Sequence, residues 1–253
     1  ECIILGDGAS SATVHVALED LGAKNIVHLS RKTAPFYGDA PNYYETAQII
    51  INCTPIGMYP HNPANLIDIT QFSKLEGVVD LIYNPRRTIL LLQAEMMEIP
   101  HCDGLPFLVA QGVEAANHFQ GEHFGTKEIE QILRDMRREK ENIILIGMPG
   151  CGKSTVAAAL GRDLGREVVE ADTLIAEKAG MSIPEIFAQS GEDGFRALET
   201  EILAEQGKRS GIILSTGGGC VTRPENYPLL HQNGTIFCLT RGLSKLPTAG
   251  RPI

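Results

Sequence analysis

Three short runs of unbroken apolar residues set the pattern of the chain: Cys2-Ile3-Ile4-Leu5, Ile143-Ile144-Leu145-Ile146 and Ile212-Ile213-Leu214, each leading into glycines. Runs of this length without polar alternation predict strands buried on both faces, the habit of parallel sheets. The spacing predicts a helix over residues 10–21, closed by Gly22, then strands at 25–29, 49–52 and 78–82. A helix is expected from Thr88, because Pro85 cannot continue one, and another near 105–118. Over 127–142, Ile129, Ile132, Leu133 and Met136 recur at i, i+3, i+4 and i+7, an amphipathic helix ending in Arg137-Arg138-Glu139-Lys140. That charge run reads as a solvated helix end at a domain junction rather than a basic patch. Further strands are expected near 143–147, 167–169, 212–215 and 235–239, with helices between them.

A strand, a glycine loop and a helix in succession form the α/β layout that holds phosphate at a helix N-terminus. The pattern divides the chain into residues 1–140 and 141–253. The chain starts directly on a core strand and stops at Arg251-Pro252-Ile253 without a closing helix, so both domains are expected to be truncated. Its 253 residues are enough for one large or two modest domains with self-sufficient cores. Lys+Arg 22 against Asp+Glu 31 gives a net charge of -9, which argues against a phosphate-neutralising nucleic-acid binder. No apolar run approaches the roughly 20 residues that span a bilayer. The cysteines are scattered without a Cys-x-x-Cys pair, which suits reduced thiols and a cytoplasmic location.

The stretch Gly147-Met148-Pro149-Gly150-Cys151-Gly152-Lys153-Ser154-Thr155 fits G-x-x-x-x-G-K-[ST] in full, between a buried strand and an alanine-rich helix. The glycines let backbone amides wrap phosphates, Lys153 supplies a charge for the β/γ oxygens, and Ser154 offers a hydroxyl to Mg²⁺. ATP or GTP binding follows; the acceptor does not. Glu170 and Asp172 stand i, i+2 at the end of an expected strand, on one side of the chain. One of them can hold Mg²⁺ through water and the other can accept a hydrogen bond from an acceptor hydroxyl. Asp172 can equally be an N-cap. Arg196 and Glu199, at i, i+3, make either an oriented carboxylate grip or a surface pair. Gly217-Gly218-Gly219 permit close backbone approach to a ligand, or make a flexible hairpin.

Together with Ser182-Ile183-Pro184-Glu185-Ile186-Phe187 and the order of these motifs, residues 142–253 resemble shikimate kinase. The resemblance implies a P-loop kinase domain with a parallel sheet and Mg²⁺-ATP-dependent phosphorylation of the shikimate 3-hydroxyl. Asp172 would orient or deprotonate that hydroxyl, Arg196 would grip the shikimate carboxylate, and Gly217–Gly219 would line its pocket. Glu170 stands where the family usually has Asp and would reach the metal through water. Arg251 would close over the phosphates as the lid arginine.

At the start of the chain, Gly6-Asp7-Gly8-Ala9-Ser10-Ser11 is a degraded G-x-G-x-x-G/A between a strand and a helix. The second strand ends in Ser30-Arg31-Lys32 with no acid to hold a ribose 2′-hydroxyl, and two cations there select NADP over NAD; a solvated turn is the plain alternative. Residues 1–125 resemble the Rossmann-like NADP-binding domain of shikimate dehydrogenase. The matching residues are Ile51-Asn52-Cys53-Thr54-Pro55-Ile56-Gly57-Met58, Asp80-Leu81-Ile82-Tyr83-Asn84-Pro85 with Thr88, and Gly104-Leu105-Pro106-Phe107-Leu108-Val109-Ala110-Gln111. That likeness implies that Asn52 and Thr54 lie along the cofactor, that Tyr83 and Gln111 reach the substrate, and that hydride passes between NADP and 3-dehydroshikimate. The family's catalytic lysine and aspartate belong to a substrate domain that this chain does not match. His118 and His123 read as structural or solvated. The combined reading is a bifunctional α/β enzyme of aromatic amino acid biosynthesis, acting on small molecules and not on nucleic acid or membrane. Its rivals are another small-molecule P-loop kinase and a non-catalytic nucleotide-binding module.

Overall fold

A computed structural model describes residues 1–60, 62–121 and 123–242. The chain forms two units, Glu1–Arg134 and Asp135–Ile253, and the division falls inside a helix rather than at residue 140.

The first unit alternates strands and helices: β1 (Cys2–Leu5), α1 (Ala9–Asp20), β2 (Ile26–Leu29), β3 (Ile49–Asn52), β4 (Gly77–Asp80), α2 (Ile89–Met96), β5 (His101–Cys102), α3 (Leu105–Gln120) and α4 (Thr126–Lys140). All five strands are parallel, in the order β2-β1-β3-β4-β5. The apolar run of β1 is buried throughout, as its lack of alternation requires of a central strand. Ile3, Leu5, Ile50 and Val78 pack against Leu90 and Leu91 of α2 to form the core. Thr88 caps α2 by accepting from the Leu91 amide at 3.4 Å, in line with the helix start read from Pro85. Gly22, at φ +85°, follows α1 in the left-handed conformation expected after a helix end.

One expectation is corrected here. The fourth strand stops at Asp80 and not at residue 82, because the Asp80 carboxylate takes the Ile82 amide at 3.0 Å and turns the chain. The amphipathic helix expected over 127–142 forms as α4, Thr126–Lys140, with no residue of its stripe fully buried.

The second unit follows with β6 (Asn142–Ile146), α5 (Lys153–Leu164), β7 (Val168–Glu170), α6 (Ala171–Ala179), α7 (Ile183–Gly207), β8 (Ile213–Ser215), α8 (Asn226–His231) and β9 (Gly234–Cys238). Its sheet is again parallel, in the order β7-β8-β6-β9. Helix α7 starts in a capping box, with the Ser182 amide donating to Glu185, and bends at Gly191, whose φ of +67° no neighbouring side chain could adopt without strain. Beyond the bend, Phe195, Ile202 and Leu203 turn inward onto Ile144 and Leu214.

In each sheet the helices leave neighbouring strands in opposite directions at one point, between β1 and β3 and between β6 and β8. Crevices for ligands open there, at the carboxyl ends of the strands.

Candidate active sites

The loop between β6 and α5 is built by glycines in conformations that other residues avoid. Gly147, Gly150 and Gly152 have φ of +142°, +78° and +109°. Gly147 also runs against the Leu239 carbonyl, where a Cβ would collide. This geometry points successive amides inward at the start of α5. Lys153 is buried, and its Nζ donates to the carbonyls of Gly147 at 2.7 Å and Met148 at 3.2 Å. The ammonium is thereby held inside the loop that its charge serves. Ser154 Oγ donates to Glu170 Oε2 at 3.1 Å, so the hydroxyl and carboxylate read as magnesium ligands are neighbours.

A cavity of about 630 Å³ opens in front of the loop. It brings together Gly150, Gly152, Lys153, Ser154, Thr155, Glu170, Asp172, Arg196 and Gly217 to Gly219, as the sequence suggested. Gly147 and Cys151 are not among its lining residues: Gly147 sits against the Leu239 carbonyl, and the Cys151 Sγ sits 4.0 Å from the Lys153 ammonium. The spacing argument for Glu170 and Asp172 is corrected. The strand ends at Glu170 and Ala171 already begins α6, so Asp172 lies in the first turn and is not the N-cap. Both nevertheless reach the cavity, because the turn from β7 into α6 faces the crevice. Arg251 lies outside the described residues.

Arg196 is more than a surface pair. Its Nη1 donates to Glu199 Oε2 at 2.8 Å, and Glu199 is fully buried. On its open side the guanidinium meets the exposed Glu192 at a looser 3.4 Å. The guanidinium carbon lies 5.4 Å from the centre of the Phe195 ring, which itself stacks on Phe187. Burial pushes the Glu199 carboxyl above the usual carboxylate range, against the opposing pull of Arg196. The other oxygen, Oε1, is buried and has no hydrogen-bond partner among the described residues.

The triple glycine is a close approach rather than a loose hairpin. A Cβ at Gly217 would come within 2.6 Å of Glu199 Oε1 and 2.9 Å of Asp172 Oδ1. One at Gly218 would strike Pro149, and one at Gly219 would land on the Arg196 guanidinium. Ile183, Pro184 and Phe187, quoted in the sequence only as part of the resemblance and without a role, add apolar lining to the cavity. Sequence reasoning passed over Arg241, just beyond β9, because a lone arginine after a strand carries no pattern.

In the first unit, the candidate cofactor residues follow the carboxyl ends of β1, β2 and β3, while Tyr83 follows β4 and Gln111 lies in α3. Gly6 has φ +116°, and a Cβ there would press on Ser11 Oγ and Thr54 Cγ2, each at 3.1 Å. The buried Ser11 therefore serves as the third small residue of the loop motif. Gly8 caps α1, and Ala9 and Ser10 form its exposed first turn.

Arg31 and Lys32 are exposed just past β2. Ser30, Asn52 and Thr54 also hold the local scaffold together. Ser30 is buried, and its hydroxyl accepts from the amides of Lys32 and Thr33 at 3.1 and 3.0 Å, shaping the turn that presents the cations. Asn52 is only 3% exposed; its amide nitrogen donates to Asp80 Oδ1 at 3.0 Å. Its carbonyl oxygen accepts from Thr54 Oγ1 at 2.8 Å and the Thr54 amide at 3.0 Å. Asp80, which the sequence reading did not single out as a site residue, holds this network together and accepts from Thr88 Oγ1 at 2.6 Å. Burial raises its carboxyl from 3.8 to about 6. Tyr83 and Gln111 are exposed.

Residues 149–248 match the family model for shikimate kinase. That stretch carries the shikimate kinase pattern. The second unit is 47% identical over 96 residues to the shikimate kinase of Prochlorococcus marinus (strain MIT 9211), covering 38% of this chain and 49% of that protein. It is 47% identical over 102 residues to that of Geobacter sulfurreducens, covering 40% and 56%. The chain spans about half the length of the curated relatives it matches. A solved shikimate kinase from Acinetobacter baumannii, in complex with shikimate, is similar over 44% of this chain and 62% of that one, at 39% identity and a TM-score of 0.42. Over 54% of the chain there is likeness to shikimate dehydrogenase 1 of Peptoclostridium difficile, at 26% identity and a TM-score of 0.49, covering 52% of that structure. The α/β architecture with two parallel sheets stands on the strand orders themselves.

Proposed function

We propose that the second unit transfers the γ-phosphoryl group of ATP to the 3-hydroxyl of shikimate, and that the first unit binds NADP for reduction of 3-dehydroshikimate to shikimate. The observation that carries the kinase reading is the single cavity in which a phosphate loop meets Asp172, the Arg196–Glu199 pair and the glycine triplet. The amides from Gly150 to Thr155 and the Lys153 ammonium neutralise the polyphosphate. Asp172 accepts the proton-bearing end of the acceptor hydroxyl. The substrate carboxylate displaces the loosely held, exposed Glu192 and takes the open edge of Arg196, while the buried Glu199 fixes the other edge. The glycines allow the ring to lie against backbone. Holding acceptor and donor in one cavity makes the transfer effectively intramolecular.

The Ser154 hydroxyl and Glu170 carboxylate fit Mg²⁺, a hard cation that takes few protein oxygens and completes its shell with water and phosphate. Among the described residues no cluster of three or more His, Cys, Asp or Glu forms an all-protein cage. When bound, the ion would shield charge on the transferring phosphates.

For the first unit, the turn built by Ser30 supports NADP over NAD by presenting Arg31 and Lys32 where NAD enzymes carry an acid. Tyr83 and Gln111 are read as substrate contacts. The reductive chemistry needs an acid or base that residues 1–125 do not offer by likeness to the dehydrogenase family. The successive use of shikimate by the two activities joins the halves into one reading, a dehydrogenase–kinase bifunctional enzyme working in solution.

Shikimate-dependent release of ADP, measured in a coupled assay, tests the kinase. It is expected for the wild-type chain and lost in Lys153→Ala. ADP binding without turnover on any hydroxy-acid acceptor would favour a non-catalytic nucleotide module, and turnover on another polyol but not shikimate would favour a different kinase.

A further inference from the structure

We infer that Arg241 is a polyphosphate-contacting residue of the second unit, gripping the nucleotide from the side of the phosphate loop opposite the acceptor. The inference rests on the reading of residues 147–155 as a nucleotide site. The strand order β7-β8-β6-β9 fixes the geometry. Glu170 and Asp172 follow β7, and the glycine triplet follows β8. The phosphate loop follows β6, in the middle. Arg241 follows β9, on the far side of the loop from all acceptor candidates, yet it lines the same cavity.

The three cations facing that cavity differ in what already holds them. Arg196 is paired with Glu199 and Glu192. Lys153 is held by two loop carbonyls. Arg241 has one long bond, from Nη1 to the Gly150 carbonyl at 3.5 Å, and among the described residues no carboxylate pairs with it. A guanidinium without a counter-charge, leaning on the crest of an anion-binding loop, is oriented by that carbonyl and gains most from a phosphate. Its charge stays with the donor side, so it should affect nucleotide binding and leave the acceptor alone.

The test is titration of the full chain with MgADP and with magnesium pyrophosphate, alongside Lys153→Ala as a reference. Arg241→Ala is expected to weaken both ligands about tenfold, the usual value of one charge-assisted hydrogen bond. Arg241→Lys should recover part of the loss, and the KM for shikimate should be unchanged. Equal MgADP affinity in Arg241→Ala and wild type, with Lys153→Ala impaired, would overturn the inference while leaving the nucleotide site intact. Loss of MgADP affinity with pyrophosphate unaffected would overturn it too, since the contact would then be to the nucleoside. A wild-type chain that binds neither ligand would overturn the nucleotide-site reading and this inference with it.

Discussion

Replacing Gly219 with alanine isolates the close approach on which the carboxylate grip depends. Gly219 has φ -115° and ψ 11°, which alanine adopts without left-handed strain, so the backbone need not change. The added methyl, however, would occupy the position of the Arg196 guanidinium. An ordinary surface arginine would swing away at little cost. Arg196 is tied at 2.8 Å to a fully buried carboxylate and packed on Phe195, so moving it either breaks the ion pair or turns its open edge out of the cavity. Misplacing one bidentate, charge-assisted contact should cost substrate binding about 1.5–3 kcal/mol, a rise in shikimate KM of roughly 10- to 150-fold. The phosphate loop is untouched, so MgADP affinity should stay within about twofold of wild type. Steady-state kinetics in shikimate, paired with a nucleotide titration, reads both quantities. An unchanged shikimate KM would refute the claim that Arg196 is pinned, and a parallel loss of MgADP affinity would mean that the methyl disturbs the whole site.

The first unit yields two further tests. Asp80 titrates at about 6 when folded against 3.8 in its ordinary state, so the folded chain binds the extra proton and the charged form is the strained one. Stability of the first unit should therefore rise as pH falls from above 6 towards 4, by up to about 3 kcal/mol, and that slope in denaturant unfolding should vanish in Asp80→Asn. In the cofactor loop, Arg31→Ala should weaken NADP roughly tenfold or more while NAD changes little. Fluorescence titration with both cofactors decides, and equal losses would remove Arg31 from the 2′-phosphate.

What could be read from residues alone follows the physics of each signal. β1, β3 and β6 were legible because unbroken Ile and Leu runs have no other stable place than a doubly covered strand. The nucleotide loop was legible because its chemistry is local: amides, a lysine and a hydroxyl within nine residues. Long-range relations were not. Nothing in the spacing of Ser30 or Asn52 says that their polar atoms turn inward, because that depends on the neighbouring strand and on Asp80. The strand end at Asp80 was missed for the same reason: a side chain competes with the ladder for the Ile82 amide. Glu170 and Asp172 reached the cavity although the strand whose periodicity was used to place them ends at Glu170, two residues short of Asp172. Arg241 is visible only once the sheet order puts β9 beside β6.

The two sites solve one topological problem in different ways. In each, the strand carrying the phosphate loop pairs in register with a strand ending in a polar residue, Leu5 with Asn52 and Leu145 with Ser215. Polar groups so close to the sheet centre must be satisfied or they destabilise the fold. In the first unit Asn52, Thr54, Asp80 and Thr88 satisfy one another across the carboxyl ends of β3 and β4. The second unit leaves Glu199 Oε1 buried and unpartnered beside Gly217 and Asp172. Such an oxygen costs about 1–3 kcal/mol in the empty protein. Of the two units, the second is therefore the one that, among the described residues, keeps an unsatisfied carboxylate oxygen beside its crevice.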